Sequence, residues 1–236
     1  YNSANSVSKT VKSILNQSYK NYELIIINDG STDNTKKILN KYKKQKKIKI
    51  FNFNSNLGLA KRLNFGISKS ISNYVLRIDD NDQVTNDRIK FQLDEFKKNS
   101  NLDIFGGSAI YVNGKKKKKI KVLSSNHQIK KKLKFFNPII HSSIMFKKKS
   151  ILKIGGYNAL FKRCQDYELW LRGRSKLNFK NSKKVFVIRD VSTFKYKFSN
   201  LIFLFKARIL NFEKKLIILS IILLIKDLII YILLKT

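Results

Sequence analysis

The sequence predicts an α/β fold, and two features of its first hundred residues indicate it. Short apolar runs alternate there with segments whose apolar residues recur at helical spacing. The first run, at residues 23–28, has four consecutive aliphatic residues and stops at Asp29-Gly30, which suits a strand buried on both faces of a parallel sheet. Alternation of strands and helices predicts a doubly wound α/β layer.

The elements of this layer follow in a regular order. They are a helix (Val7, Val11, Ile14, Leu15), a strand (23–28), a helix (Ile38, Leu39, Tyr42), a strand (48–53), a helix (Leu59, Leu63, Ile67), a strand (74–78) and a helix (Ile89, Leu93, Phe96). A chain of 236 residues can bury enough surface in such a layer to need no disulfide or metal.

The middle of the chain has a different pattern. Residues 102–112 and 135–146 are expected to be strands, with no helix predicted between them. Five consecutive lysines, residues 115–119, follow the turn signal Asn113-Gly114, and they are interpreted as the solvated tip of a hairpin. Residues 165–174 return to helical periodicity.

The C-terminal segment is the most apolar part of the chain. Residues 216–234 form an apolar run interrupted by Ser220, Lys226 and Asp227. Two adjacent charges at mid-span would cost roughly 2.5–3.5 kcal/mol each in a bilayer, which disfavours a full span. An interfacial helix with basic flanks at Lys206, Arg208, Lys214 and Lys215 is favoured, and a buried helix is the alternative.

The charge balance is extreme, with 50 Lys and Arg against 15 Asp and Glu and a net charge of +35. An anionic partner (nucleic acid, anionic lipid or a phosphorylated substrate) is one explanation. Compositional drift from AT-rich coding is the other, since Lys, Asn and Ile are abundant. A single cysteine, Cys164, excludes an internal disulfide and fits a reducing compartment. No zinc, RNP or helix-turn-helix pattern points to specific nucleic-acid binding.

Three polar motifs are candidates for chemistry. Asp29 follows the first predicted strand, where open α/β sheets bind ligands; a tight Asp-Gly turn is the alternative. Asp79-Asp80-Asn81-Asp82 crowds three carboxylates, which favours Mg²⁺ or Mn²⁺ unless the loop only caps a helix. Asp166 begins the helix at 165–174, as a general base or as an N-cap carboxylate.

Together these motifs resemble, in order, those of family 2 glycosyltransferases with the GT-A fold. Further matching segments are Tyr1-Asn2, Asn56-Leu57-Gly58-Leu59-Ala60, Asn64 with Gly66, Asn137-Pro138-Ile139-Ile140-His141 and Gly155-Gly156-Tyr157. The resemblance runs from Tyr1 to about Arg174. It implies a Rossmann-like mixed sheet flanked by helices, extended here by the C-terminal hydrophobic helix. The family's first strand is expected before Tyr1 and is missing from the sequence.

The resemblance also implies roles for individual residues. Asp29 is expected to hold the base of the nucleotide, with Asn2, Gly58 and Lys61 or Arg62 lining its pocket. Asp79 is expected to reach the ribose or the metal, Asp80 to bind the nucleotide sugar, and Asn81 and Asp82 to hold a divalent metal, Mg²⁺ or Mn²⁺. Asp166 is expected to deprotonate the acceptor hydroxyl. His141, Trp170 and Arg172 are expected on the acceptor side, as border, sugar-stacking and phosphate-pairing residues, with a core role for each as the alternative.

Departures from the family pattern qualify these expectations. Asn81 stands at the second acid of the DxD pattern, which favours Asp80 or Asp82 as ligand or a lowered metal dependence. Gln165 replaces the acid that usually precedes the base. The signature and multiple spans of processive synthases are missing, which favours transfer of a single sugar.

The sequence thus predicts a glycosyltransferase domain at residues 1–195 and a membrane-associated segment at 196–236. The expected reaction is inverting transfer from a nucleotide sugar, with a UDP-sugar favoured, to a surface-polysaccharide or lipid-linked acceptor. It is expected at an anionic membrane surface on the cytoplasmic side, with no specific nucleic acid as partner. A catalytically inactive glycosyltransferase-like subunit and a basic nucleic-acid-binding protein are the alternatives.

Overall fold

Strands and helices alternate through the first hundred residues as predicted, except that a short unpredicted strand, Asp82–Val84, follows the strand at Tyr74–Leu76. In this computed structural model, which describes residues 1–192, 198–212 and 217–233, the elements there are α1 Val7–Leu15, β1 Leu24–Asp29, α2 Thr35–Asn40, β2 Ile48–Phe53, α3 Leu59–Lys69, β3 Tyr74–Leu76, β4 Asp82–Val84 and α4 Arg88–Lys98. β1 and β2 pair in parallel, with Leu24 opposite Ile48. The α/β layer is therefore confirmed.

The second half adds a mixed sheet. Its elements are β5 Ile104–Asn113, β6 Lys116–Ile120, α5 Asn126–Leu133, a 3₁₀ turn His141–Ser143, β7 Met145–Lys147, α6 Lys148–Lys153, α7 Gln165–Gly173, β8 Phe179–Asp190, α8 Phe198–Asn211 and α9 Ile217–Leu233. The sheet has the order β3-β7-β5-β8-β4, and β6 pairs with β5. β5 runs parallel to β8 and antiparallel to β6 and β7.

A cavity of about 740 Å³ lies between β1 and β3. Ile25 and Ile27 of β1 and Val75 and Leu76 of β3 line it, and within the described residues β1 pairs with β2 and β3 with β7. β1 and β3 therefore lie on opposite sides of this cavity, with apolar side chains lining it, and they do not hydrogen-bond to each other.

The N-terminal segment joins the loops that follow β1 and β3. The backbone N–H of Asn2 donates to Ser31 Oγ at 2.9 Å, and Ser3 Oγ donates to the carboxylate of Asp80. The carboxyl ends of the two strands thus meet at one place, which is where open α/β sheets bind ligands.

Helix α7 is the centre of the main core. Tyr167, Leu169, Trp170 and Leu171 are all buried, and they pack with Phe179 of β8 and other apolar residues. Each such side chain contributes about 1.5–3 kcal/mol through burial. Because α7 is buried nearly all round, its first turn is held rigidly in place.

The prediction that the lysine run at residues 115–119 is a hairpin tip is wrong. Gly114 has φ +58° and makes the predicted turn, but Lys116–Ile120 is strand β6 rather than a hairpin tip. Lysines suit this position because charged side chains on an edge strand oppose further strand pairing.

Three further differences lie in the second half. Helix α5 interrupts the region predicted to lack one: Ser125 Oγ accepts from the N–H of Gln128, and Ile129 and Leu133 are fully buried. Residues 135–146 are mostly loop, and only Met145–Lys147 is a strand. The long strand β8 was not predicted at all.

The C-terminal helices pack back on the domain. Phe203 of α8 contacts Phe161, and Arg208 donates to Asp227 of α9 at 2.8 Å. Arg208 is 1% exposed, so it is an ion-pair partner inside the protein and not the predicted membrane flank. Lys214, Lys215 and the two end residues of the predicted apolar run lie outside the described residues. Within the described ranges, no helix combines the length and apolarity needed to cross a bilayer.

Candidate active site

Asp29 lies buried at the carboxyl end of β1. Its Oδ1 accepts from the N–H of Leu57 and its Oδ2 from the N–H of Gly58, both at 2.9 Å, and Arg62 Nε also donates to Oδ1. Although burial raises the pKa of Asp29, these hydrogen bonds and the Arg62 charge leave it below the ordinary value. The carboxylate is therefore ionised and fixes the loop that leads into α3.

The other residues predicted for the nucleotide pocket surround Asp29 and its loop. The guanidinium of Arg62 stacks 3.5 Å from the centre of the Phe53 ring, and Gly58, with φ +88°, precedes α3. Asn2 Oδ1 accepts from the N–H of Thr32 at 2.9 Å, and Lys61 is exposed. The structure thus brings Asn2, Asp29, Gly58 and Arg62 to one edge of the sheet.

Arginines neutralise two carboxylates of the acidic loop. Asp79 accepts from Arg77 through Oδ1 and from Arg189 through Oδ2. Burial acts to raise the pKa of Asp79, but the two guanidinium charges outweigh it and lower this pKa to about 2. Arg189 also donates to both oxygens of Asp82 at 2.9–3.1 Å. Arg189 thus ties the end of β8 to the acidic loop.

A divalent metal fits only the exposed part of this loop. Asp82 is fully buried and both its oxygens are taken by Arg189, so it does not fit the predicted metal-ligand role. Among the described residues, no group of three His, Cys, Asp or Glu forms a metal cluster. Asp80 and Asn81 are exposed, and Mg²⁺ usually needs only one or two carboxylates beside substrate phosphates. These two residues fit such an ion.

Asp166 occupies the first turn of α7. Asn137 Nδ2 donates to its Oδ2 at 2.8 Å. Burial raises the pKa of Asp166, and the N–H of Tyr167, the charge of Arg77 and the Asn137 amide oppose that rise only in part. A fixed carboxylate with a raised pKa is a stronger base than an ordinary aspartate.

His141 lies between the acidic loop and α7. Its Nε2 is 2.8 Å from Tyr157 Oη, and its side chain is buried. Burial lowers the pKa of His141 well below its ordinary value, as does the charge of Arg77, so the imidazole is neutral. It borders the candidate site as a neutral hydrogen-bonding group.

Two acceptor-side predictions are wrong. Trp170 is fully buried, and its ring meets those of Phe179 and His141 edge-on, so it is not available to stack on a sugar. Arg172 pairs with Glu168 and donates to the carbonyls of Ile154 and Gly156. It holds the loop at residues 154–156 and not a phosphate.

Two arginines in the site had no predicted role. Arg77 lies two residues before the acidic loop, and Arg189 lies one residue before the end of β8, a strand that was not predicted. The apolar run before Arg189 (residues 185–188) was the one available signal, but the partners of Arg189 are more than a hundred residues away.

Known proteins resemble the chain in sequence. Residues 1–163 match the family model described as glycosyl transferase family 2. A UDP-Gal:α-D-GlcNAc-diphosphoundecaprenol β-1,3-galactosyltransferase of Escherichia coli is 31% identical over 169 residues, 70% of this chain and 61% of the relative. A poly-β-1,6-N-acetyl-D-glucosamine synthase of Staphylococcus epidermidis is 36% identical over 46% of this chain and 26% of the relative. The chain therefore spans less than two thirds of the length of either relative.

Solved structures resemble it in fold. S. aureus TarS residues 1–349 in complex with UDP-GlcNAc superposes with a TM-score of 0.71 at 16% identity, covering 91% of this chain and 66% of that one. The mixed sheet flanked by helices is thus the GT-A arrangement that the motifs implied. Because the family model covers more than half of its length, the chain belongs to glycosyltransferase family 2.

Proposed function

We propose that the chain transfers a single sugar, with inversion, from a UDP-sugar to a surface-polysaccharide or lipid-linked saccharide. The observation that carries this is the position of Asp166, a carboxylate of raised pKa fixed at the start of a buried helix. The charge of Arg77 acts on both Asp166 and Asp79, so the base lies near the acidic loop. UDP-GlcNAc in the TarS complex and UDP-Gal in the name of the E. coli relative support the donor class.

The proposed reaction is a single displacement at the anomeric carbon. Asp166 accepts the proton of the acceptor hydroxyl while that oxygen attacks from the face opposite the diphosphate. The bond from the anomeric carbon to the phosphate oxygen breaks, and UDP leaves with the electron pair. A divalent ion, Mg²⁺ or Mn²⁺, would be held by Asp80 and Asn81 and would supply positive charge beside the diphosphate.

The donor pocket in this proposal is the edge formed by Asn2, Asp29, Gly58 and Arg62. One lone pair of Asp29 Oδ2 remains beyond the bond from Gly58, and it suits the N–H of a uracil ring. Lys61, exposed on α3, suits the diphosphate. Asp79 is ionised and faces the same end of the sheet, where it suits the ribose.

The proposed acceptor class includes lipid-linked saccharides, because α9 carries an apolar stripe. Ile218, Ile222, Ile225, Ile229 and Ile232 are 52–71% exposed and recur at helical spacing along one side. Leu223 of the same helix is buried, so the stripe points away from the domain. An exposed apolar stripe on a strongly basic chain suits the interface of an anionic membrane.

We place this membrane contact on the cytoplasmic side, where the single cysteine fits a reducing compartment. Vesicle co-sedimentation tests the contact with neutral and anionic lipid. We expect binding that strengthens with anionic lipid and falls when Ile222→Glu and Ile225→Glu are combined. Ile71→Glu, at an exposed isoleucine outside α9, is the control and should bind as the parent does. Equal binding by all three proteins would contradict the membrane proposal.

The catalytic proposal is tested by UDP binding and sugar release or transfer, with Mn²⁺ or EDTA, in the parent and in Asp166→Asn. We expect both proteins to bind UDP with similar affinity and only the parent to turn over. Turnover by Asp166→Asn at the parental rate would refute the base. UDP binding without turnover by the parent would instead support an inactive glycosyltransferase-like subunit.

A further inference from the structure

Arg77 has hydrogen-bonding capacity that the protein does not use. Its side chain is 5% exposed, and its Nη2 donates to Asp79. Among the residues that the structure describes, neither Nε nor Nη1 of Arg77 has an acceptor. Buried donors without acceptors are rare in native proteins, and each one calls for an explanation.

A second buried arginine, Arg88, differs from Arg77 in its hydrogen bonds. It is fully buried next to Arg77, and all its nitrogens are satisfied: Nε donates to Gln92 at 2.9 Å, Nη1 to the carbonyl of Ser142 at 2.8 Å, and Nη2 to the carbonyls of Arg77 and Ile144. The fold thus supplies a full set of acceptors to a structural arginine. Within the described part of the chain, the Arg77 side chain has only the carboxylate of Asp79, so its other acceptors are expected from a ligand.

The backbone of Arg77 is fixed on both sides. Its N–H donates to the carbonyl of Ile144 at 3.1 Å, and its own carbonyl accepts from Arg88. The guanidinium is thereby held beside Asp79, and its charge acts on Asp166, His141 and Tyr157. It is hydrogen-bonded to the carboxylate assigned to the donor, and its charge also acts on the carboxylate assigned as base.

The transferred sugar must occupy the space between those two carboxylates if the proposed function holds. We propose that Arg77 donates Nε–H and Nη1–H to hydroxyl oxygens of the donor's sugar, and so is a specificity-determining residue. The inference rests on the proposed function. Nε–H and Nη1–H lie on different edges of the guanidinium and point in different directions, so they suit two separate hydroxyl oxygens better than they suit the two oxygens of one phosphate.

A site built to hydrogen-bond a hydroxyl discriminates strongly against a donor that lacks it, because the buried donors are then left unpaired. Hydrogen bonds from charged groups are stronger than neutral ones. We therefore expect loss of either partner, the Arg77 guanidinium or the sugar hydroxyl that it bonds, to lower kcat/KM by about 10- to 100-fold.

The test combines Arg77→Lys and Arg77→Gln with a series of mono-deoxy analogues of the UDP-sugar that the parent uses. Both variants should bind UDP as the parent does and lose about 10- to 100-fold in kcat/KM with the intact donor. With each deoxy analogue that lacks a hydroxyl bonded to Arg77, the parent should lose about as much kcat/KM and the variants should lose no more. Arg88→Lys is the matched control, and its effect should be the same for every donor.

Equal, additive losses with every deoxy analogue would overturn the inference and leave the proposed function standing. A loss of UDP affinity as large as the loss of UDP-sugar affinity would also overturn the inference, because Arg77 would then act on the nucleotide part of the donor. Arg77 also lines the cavity between β1 and β3. A parent that binds no nucleotide would overturn both the inference and the proposed function.

A second measurement needs no functional variant. The Nε–H signal of Arg77 in the ¹⁵N-labelled parent should shift further on adding the UDP-sugar than on adding UDP alone, which reaches Arg77 only through Asp79. An identical response to the two ligands would contradict the assignment to the sugar even if both Arg77 variants fail to fold.

Discussion

Arg189 is expected to be the residue on which the acidic loop depends most for stability. Replacing it in Arg189→Met removes the partner of Asp82, which is fully buried and accepts from Arg189 at 2.9, 3.1 and 2.9 Å. Methionine keeps the apolar stem but leaves a buried carboxylate unpaired. Breaking such a pair costs about 3–5 kcal/mol of unfolding free energy.

The size of the effect should depend on pH. The pKa of Asp79 is about 2 in the folded protein, below its ordinary value of 3.8, so its ion pairs stabilise the fold above pH 3.8 and this stabilisation disappears as the pH falls towards 2. Protonation of Asp82 likewise removes the charge that Arg189 neutralises. The parent and Arg189→Met should therefore converge in stability on acidification.

Urea unfolding measures this through the fluorescence of Trp170, the only tryptophan and a fully buried one. At pH 7 the expected loss lowers the urea midpoint by about 1–2.5 M, for a slope of roughly 2–3 kcal/mol per M. Adding Asp82→Asn to Arg189→Met should recover much of the loss, because the buried charge is then gone.

Lys184→Met is the matched control, because it removes a cation paired with Asp87 at the surface, where the two side chains are 39% and 48% exposed. It should change the unfolding free energy by at most about 1 kcal/mol. If Arg189→Met loses no more unfolding free energy than this control, or if its loss does not depend on pH, Arg189 does not stabilise the acidic loop by neutralising Asp82.

Three further predictions follow from the site and the fold. Asn137→Ala removes a donor that lowers the pKa of Asp166, so the acid limb of the kcat/KM profile should move to higher pH; an unmoved limb would argue against Asp166 as the base. Gly30→Ala should cost clearly more unfolding free energy than Gly114→Ala, since both have positive φ but only the Cβ at residue 30 would meet backbone, at 2.6 Å; equal losses on thermal unfolding would count against this. Trp170→Ala should cost about 3–5 kcal/mol in urea unfolding while the folded fraction keeps its KM for the acceptor, and a stable variant with a raised acceptor KM would restore the sugar-stacking role.

The first half of the fold could be predicted because its signals are local. Apolar periodicity marked α1, β1, β2 and α3, and the polar residues that end β1 marked the site edge. Helix α5 was missed because lysines surround its two buried residues, Ile129 and Leu133, and hide the periodicity. The pattern around β8 was likewise masked by the lysines at residues 183–184.

The candidate site was predictable where it follows strand ends and not where it depends on distant pairing. Asp29 and Asp166 lie where the motifs put them. Trp170 and Arg172 were misassigned because an aromatic ring and a cation on a helix look alike in sequence whether they face a ligand or the core. The link from Arg189 to Asp82 exists only through the pairing of β8 with β4, which a single sequence does not specify.

The central claim is that Asp166 acts as general base for a single displacement at the anomeric carbon. The most direct test is the anomeric configuration of the product formed by the parent protein from an α-linked UDP-sugar, read by NMR before mutarotation or from the glycosidic linkage. We expect a β-configured product from the parent and no product from Asp166→Asn. An α-configured product would contradict the claim, because retention requires two displacements or a front-face mechanism that this carboxylate does not serve.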